Sequence, residues 1–247
     1  MLLKLDSSMI KDATPEDFTI NFSNLSLDQP YEIALINVNL WCSWYNIADF
    51  YNNNDIRISN GTRWINIKIP NGIYDIVQLN EFINRKLTAE KEDPDIAKII
   101  PNYASLRVII ELKQNCQFDL SRSDLHKILG FEKKIVKKTE EGTEPVDITR
   151  GVDVLCIHCN IVDGSFDNNM ASDILYSFKP ATDPGFLIRI NPINSIYLPI
   201  NKQSDIHYIT MSLTDQKGRP IKLNGEHVNY LLHLRPVNSS VKVINDN

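Results

Sequence analysis

Ten short segments of this chain place apolar and polar residues at alternate positions, and no other feature restricts its fold as much. That period of two belongs to half-buried strands. The segments are "FTINF" (18–22), "YEIALINVNLW" (31–41), "RWINIKI" (63–69), "SLRVIIEL" (105–112) and "VLCIHCNIV" (154–162). They continue with "DILYSF" (173–178), "FLIRI" (186–190), "SIYLPI" (195–200), "HYITMSL" (207–213) and "VNYLLHL" (228–234). The expected class is all-β with minor helices.

Two segments carry a helical period instead. In "DIVQLNEFINRKLTAEKE", Ile76, Leu79, Phe82, Ile83 and Leu87 fall on one face, with Asp75 placed as N-cap. In "SDLHKILGF", Ser123 is the expected N-cap, Leu125, Ile128 and Leu129 form the stripe, and Gly130 stands where a left-handed C-cap belongs. Lys133 to Arg150 has charge without apolar period and reads as a long surface loop, or as a division between halves. Around "DQKG" and "NG" the C-terminal third is expected to form an antiparallel meander.

The formal charge is −5, which gives the chain no electrostatic reason to seek a phosphate backbone. The basic run Lys133, Lys134, Lys137 and Lys138 is followed at once by Glu140, Glu141 and Glu144, and reads as a solvated segment. No apolar run is long enough to span a membrane, and the polar N-terminus does not read as a signal peptide. Four unevenly spaced cysteines do not make a disulfide framework, so free thiols in a protein made and used inside a cell are expected.

Chemistry is first suggested by "GVDVLCIHCNIVDGSF" (151–166), where Cys156, His158 and Cys159 fall within four positions. On a strand, Cys156, His158 and Asn160 point one way, while Leu155, Ile157, Cys159 and Ile161 point the other. The two thiols then cannot share a zinc ion, and no second Cys-x-x-Cys pair is present. Cys159 reads as a core residue. His207, beside Asp205 and Tyr208, has no indicated nucleophile, and His227 and His233 read as an exposed polar row on the last strand. Trp41, Trp44 and Tyr45 read as the cap of a sandwich end, the alternative being a platform for a sugar or base. Phosphate-loop, nucleophile-elbow and zinc-helix motifs are absent from the sequence. The reading therefore gives no enzyme, no catalytic, cofactor-binding or metal residue, and no cofactor, and it names no interface residue.

The run "IHCNIVDGSFDNNMASDILYSFKP", followed by "DPGFLIRINPINSIYLPINKQSDIHYITMSLTDQKGRPIKLNGEHVNYLLHLRP", resembles the minor capsid, or penton, proteins of Polinton/Maverick elements and adintoviruses. "YEIALINVNLWCSWYNI", "RWINIKIPNGIYDIVQLNEFI" and "LHKILGF" are similar in plan. The resemblance covers most of residues 18–235. It implies an antiparallel jelly-roll β-sandwich, a single jelly roll with insertions, although the extra helices leave a second small β domain open. On this reading residues 1–17 are an N-terminal arm, 18–235 the jelly-roll capsid domain with a possible subdivision near 133–150, and 236–247 a C-terminal tail. It further implies a pentameric vertex subunit of an icosahedral virion, partnered by a larger double-jelly-roll major capsid protein. No specific nucleic-acid or membrane partner is implied. The competing reading is a β-sandwich binding module that takes a sugar or protein ligand at Trp41, Trp44 and the loops.

Overall fold

The structure is a computed structural model that describes residues 1–10, 14–149, 152–201 and 205–237. It divides into two compact units, Met1–Ser43 with Val152–Asn247 (unit 1) and Trp44–Gly151 (unit 2). The chain opens unit 1 with β1 (Leu2–Asp6), β2 (Asp17–Ser26) and β3 (Tyr31–Trp41). Unit 2 follows, with β4 (Asp55–Ser59), β5 (Trp64–Lys68), α1 (Ile76–Ala89), β6 (Ala97–Asn102), β7 (Arg107–Leu112), β8 (Gln117–Asp119), α2 (Leu125–Ile128), β9 (Ile135–Val136) and β10 (Glu140–Glu141). The return to unit 1 brings β11 (Leu155–Cys159), the hairpin of β12 (Ser165–Asp167) and β13 (Met170–Ser172), and β14 (Ile174–Phe178). It ends with β15 (Leu187–Ile190), β16 (Leu198–Pro199), β17 (Asp205–Asp215) and β18 (Val228–Pro236).

Unit 1 is wound as a jelly roll. One sheet has the order β1-β18-β3-β15, with β16 also on β3, and the other has the order β14-β11-β17-β2. Taken in chain order, the first of the eight main strands pairs with the last, the second with the seventh, the third with the sixth and the fourth with the fifth, all antiparallel. That is one long ribbon folded back on itself. Its wrapping adds the contacts β18–β3 and β17–β11, which close two sheets over one core. Val228, Tyr230, Leu232 and Leu234 alternate inward along β18, and the Tyr230 ring stacks on Phe18 of the opposite sheet at 6.1 Å.

Several expectations are corrected. Residues 2–6 are not an arm, because β1 pairs along its whole length with β18 and buries Leu5. Residues 11–13, within the same expected arm, lie outside the described residues, as does the expected tail beyond Val237. The meander is also replaced: β17 and β18 lie in different sheets. The turn chemistry itself forms, since Asp215 N donates to Arg219 O at 2.9 Å, and Gly218 and Gly225 take positive φ. Turn residues dictate a reversal, and burial of the alternating face decides which sheet receives the next strand.

Unit 2 has sheets β5-β4-β8-β9 and β10-β7-β6. Asp75 caps α1 as expected, in a capping box with Gln78, and Ile76, Leu79, Phe82, Ile83 and Leu87 are buried. They join Ile56, Ile58, Ile99, Ile110 and Phe118 in one apolar core. The second helix is a single turn whose N-cap position is Asp124 rather than Ser123, and Asp124 is bound to Lys127 at 2.9 Å. Gly130 does adopt φ +72°, and a Cβ there would meet Glu144 O at 2.1 Å.

That close approach explains the second correction in this unit. The expected loop from Lys133 onward is stitched down: Ile135 and Val136 pair with β8, Glu140 and Glu141 with β7, and Glu144 N donates to Gly130 O at 3.0 Å. Strands of two residues are too short to display a period. One unit boundary falls at the end of this stretch, and the other, after Ser43, carries no compositional signal.

Candidate functional site

Strand β11 holds the residues that suggested chemistry, and its alternation falls as read. Leu155, Ile157 and Cys159 are fully buried in the sandwich, with Cys159 at 0% exposure. Burial pushes the Cys159 thiol up to about 12, which leaves it protonated and unreactive. Cys156, on the opposite face, is also buried, and burial together with Asp167 and Asp215 raises its thiol. Cys42 and Cys116 are likewise buried free thiols. Among the described residues no group of three His, Cys, Asp or Glu side chains is arranged to hold a metal.

His158 has partners that the sequence did not indicate. Its Nδ1 lies 2.7 Å from Asp173 Oδ1 and its Nε2 2.8 Å from Thr214 Oγ1. Carboxylate, imidazole and hydroxyl thus stand in the order used by hydrolytic triads. Here His158 lies on β11, Thr214 on β17 and Asp173 just before β14, so the chain of bonds ties three neighbouring strands. A depression of about 480 Å³ lies elsewhere, lined by Ala181, Thr182, Asp183, Phe186, Leu187 and Arg189. Both imidazole nitrogens are engaged, and the arrangement fastens the sheet. Asp173 and Thr214 are 15 and 56 positions from His158, so only strand pairing could have revealed them.

The other candidates separate. His207 and Tyr208 are exposed on β17, where a register shift falls between Ile206 and Tyr208. His227 precedes β18 rather than lying on it, and is exposed. His233 is not in an open polar row: its Nδ1 meets Tyr197 Oη at 2.7 Å, and the Arg235 guanidinium lies 3.5 Å from the centroid of the Tyr197 ring. Trp41 belongs to unit 1, while Trp44 and Tyr45 belong to unit 2, so neither unit by itself assembles the three-residue platform. In unit 2 the Arg57 guanidinium covers Trp64 at 4.4 Å and its Nε bonds the buried Asp119 at 2.6 Å.

Surface features complete the picture. Phe186 and Ile196 are largely exposed beside β15 and β16, and Ile193 between them is 98% exposed. Leu2 and Met9 are exposed at either end of β1. No helix among the described residues is long and apolar enough to cross a membrane.

No protein-family model and no curated protein matches the chain. Among solved structures, the crystal structure of selenomethionine-labelled mavirus penton protein is similar to it over 96% of this chain and 99% of that chain, with 13% sequence identity and a TM-score of 0.49.

Proposed function

We propose that this chain is a structural capsid protein, the penton subunit at the five-fold vertices of an icosahedral virus-like particle. The observation that carries the reading is the jelly-roll winding of unit 1, formed by the segments whose sequence resembles penton proteins. A jelly roll alone serves many functions, so the residues must discriminate. The carboxylate–imidazole–hydroxyl set described above is spread across paired strands of one sheet, and the tryptophans are divided between units. Extended apolar side chains at the edges of unit 1 suit a protein whose work is contact with other proteins.

On this reading the chain forms a homopentamer that sits among copies of a double-jelly-roll major capsid protein. It is made inside the host cell and resides in the virion. It needs no cofactor, membrane or specific nucleic acid, in keeping with its net negative charge. Five copies of the 28.3 kDa chain give about 141 kDa. Mass photometry of the purified protein, alone and mixed with the major capsid protein, tests the reading. The expected species is a five-fold ring, and a chain that stays monomeric or stops at a two-fold dimer in both cases overturns it.

A further inference from the structure

A ring of identical subunits needs two different surfaces that fit each other, one on each flank. The β1-β18-β3-β15 sheet has two such flanks, because β1 and β15 are its outer strands. Within unit 1, and among the described residues, both present strand edges without a further strand, and such edges are unstable as free surfaces unless blocked or covered. Since every pairing in the sheet is antiparallel, β1 and β15 run in opposite directions. A second copy placed with its β1 beside β15 therefore continues the same alternation.

The register across the sheet decides what would meet. Asp6 is opposite Asn229, Asn229 opposite Asn39, and Asn39 opposite Arg189. One cross-strand row thus ends in a carboxylate on the first edge and an exposed guanidinium on the last. Asp6 keeps acceptor capacity in that position: Oδ1 takes Ser8 N and Oγ, Oδ2 takes Asn229 Nδ2 at 2.9 Å, and the exposed Lys4 Nζ stands off at 3.9 Å from Oδ2.

The same register aligns the apolar groups. Leu2, 63% exposed, is at the level of His233 and Ala34. On the other edge that level falls between Ile190, opposite Val38, and Leu198, opposite Ile33, where the chain carries Ile193 and Ile196. At the other end Met9 lies beyond Asp6, as Phe186 lies beyond Arg189 one step past Leu187. The segment bearing Ile193 is held at both ends, by Asn37 Nδ2 on Asn191 Oδ1 at 2.8 Å and by Tyr197 on His233. A fixed segment that projects a fully exposed isoleucine is preorganised for contact.

We infer that the β1 edge of one copy docks against the β15–β16 edge of the next, with Asp6 facing Arg189 and Leu2 facing Ile193 and Ile196. This rests on the capsid reading and assigns its subunit contact. The test is a double-mutant cycle on the full chain, read as the ring association constant by sedimentation velocity, with far-ultraviolet circular dichroism as the control for folding. Asp6→Asn retains the cap on Ser8, because asparagine caps as well as aspartate. Arg189→Gln is expected to weaken association about tenfold with Asp6 present, the scale of an interfacial charge pair. In the Asp6→Asn background it should do so less than about twofold. Ile193→Glu should abolish the ring without changing the fold. If the wild-type chain assembles but Arg189→Gln has no effect, or has equal effects in both backgrounds, the edge contact is overturned and the capsid reading stands. A wild-type chain that never assembles, alone or with the major capsid protein, overturns both.

Discussion

In unit 1 the strands that pair are remote along the chain, Leu5 opposite Tyr230 and Phe18 opposite Met211, whereas every paired strand of unit 2 comes from residues 55–141. Unit 1 cannot close until both ends of the chain have been made, and its pairings carry a large loop-closure entropy. Unit 2 needs only its own hundred or so residues, and a capped helix and two hairpins give it local contacts from the start. Two cores built mainly of isoleucine and leucine thus differ in how their formation depends on the rest of the chain.

The most severe way to break this contrast is to delete Met1–Asp6. The deletion removes an edge strand together with buried Leu5, and should cost unit 1 more than the ~2–5 kcal/mol expected for truncating a core leucine alone. Hydrogen exchange should then show lost protection in β18 and β3 with β4–β8 unaffected; an unchanged unit 1 would restore these residues to the status of an arm. Next in size, Phe118→Ala empties a fully buried site in unit 2 and should cost ~3–5 kcal/mol there. Loss of protection confined to unit 2 is expected, and equal loss in both units would show that they unfold together.

Titration sharpens the comparison. Burial raises the Asp119 carboxyl of unit 2, but hydrogen bonds from the Ser121 hydroxyl and amide and the Arg57 guanidinium outweigh it and hold the group below its ordinary 3.8. The stability it contributes is present above pH 3.8 and lost as pH falls through the lowered folded value. Cys159 of unit 1 has the opposite sign: its contribution is complete below pH 9.0 and disappears as pH rises toward about 12. Unit-resolved exchange at both extremes should show Asp119→Asn flattening the acid limb of unit 2 and Cys159→Ala the alkaline limb of unit 1. The smallest effect is at Tyr230, whose buried hydroxyl has no hydrogen-bond partner among the described residues. Tyr230→Phe should stabilise unit 1 by about 1 kcal/mol in urea unfolding, because it removes an uncompensated polar group. A loss of stability would reveal a partner for that hydroxyl.

How much of this was legible in the sequence depends on the range of the interaction involved. The alternation of "VNYLLHL" and "YEIALINVNLW" reports which residues face a core, and β18 and β3 form there. The capping box at Asp75 and the left-handed Gly130 are local as well, and both appear. Pairing is not local: nothing in "LLKLD" announces that its partner is 223 or more positions away, so β1 reads as an arm. The same reason hid the Asp173–His158–Thr214 chain, although an aspartate and a threonine on the strands flanking a histidine strand would be the pattern to search for. For the stretch from Lys133 onward the loop reading fails and the division reading meets a unit boundary at its end, because hydrogen bonds to β7, β8 and Gly130, rather than apolar side chains in period, hold much of it down.

Unit 2 enters the roll between β3 and β11, at a crossing from one sheet to the other. Loop-closure entropy grows only with the logarithm of length, so a crossing of about a hundred residues costs roughly 2 kcal/mol more than one of about ten. A self-folding guest leaves the host's strand pairing as it was. This crossing is therefore a place where insertions of very different length leave the same strands paired, so that a roll of this winding can keep its sandwich and exchange the guest.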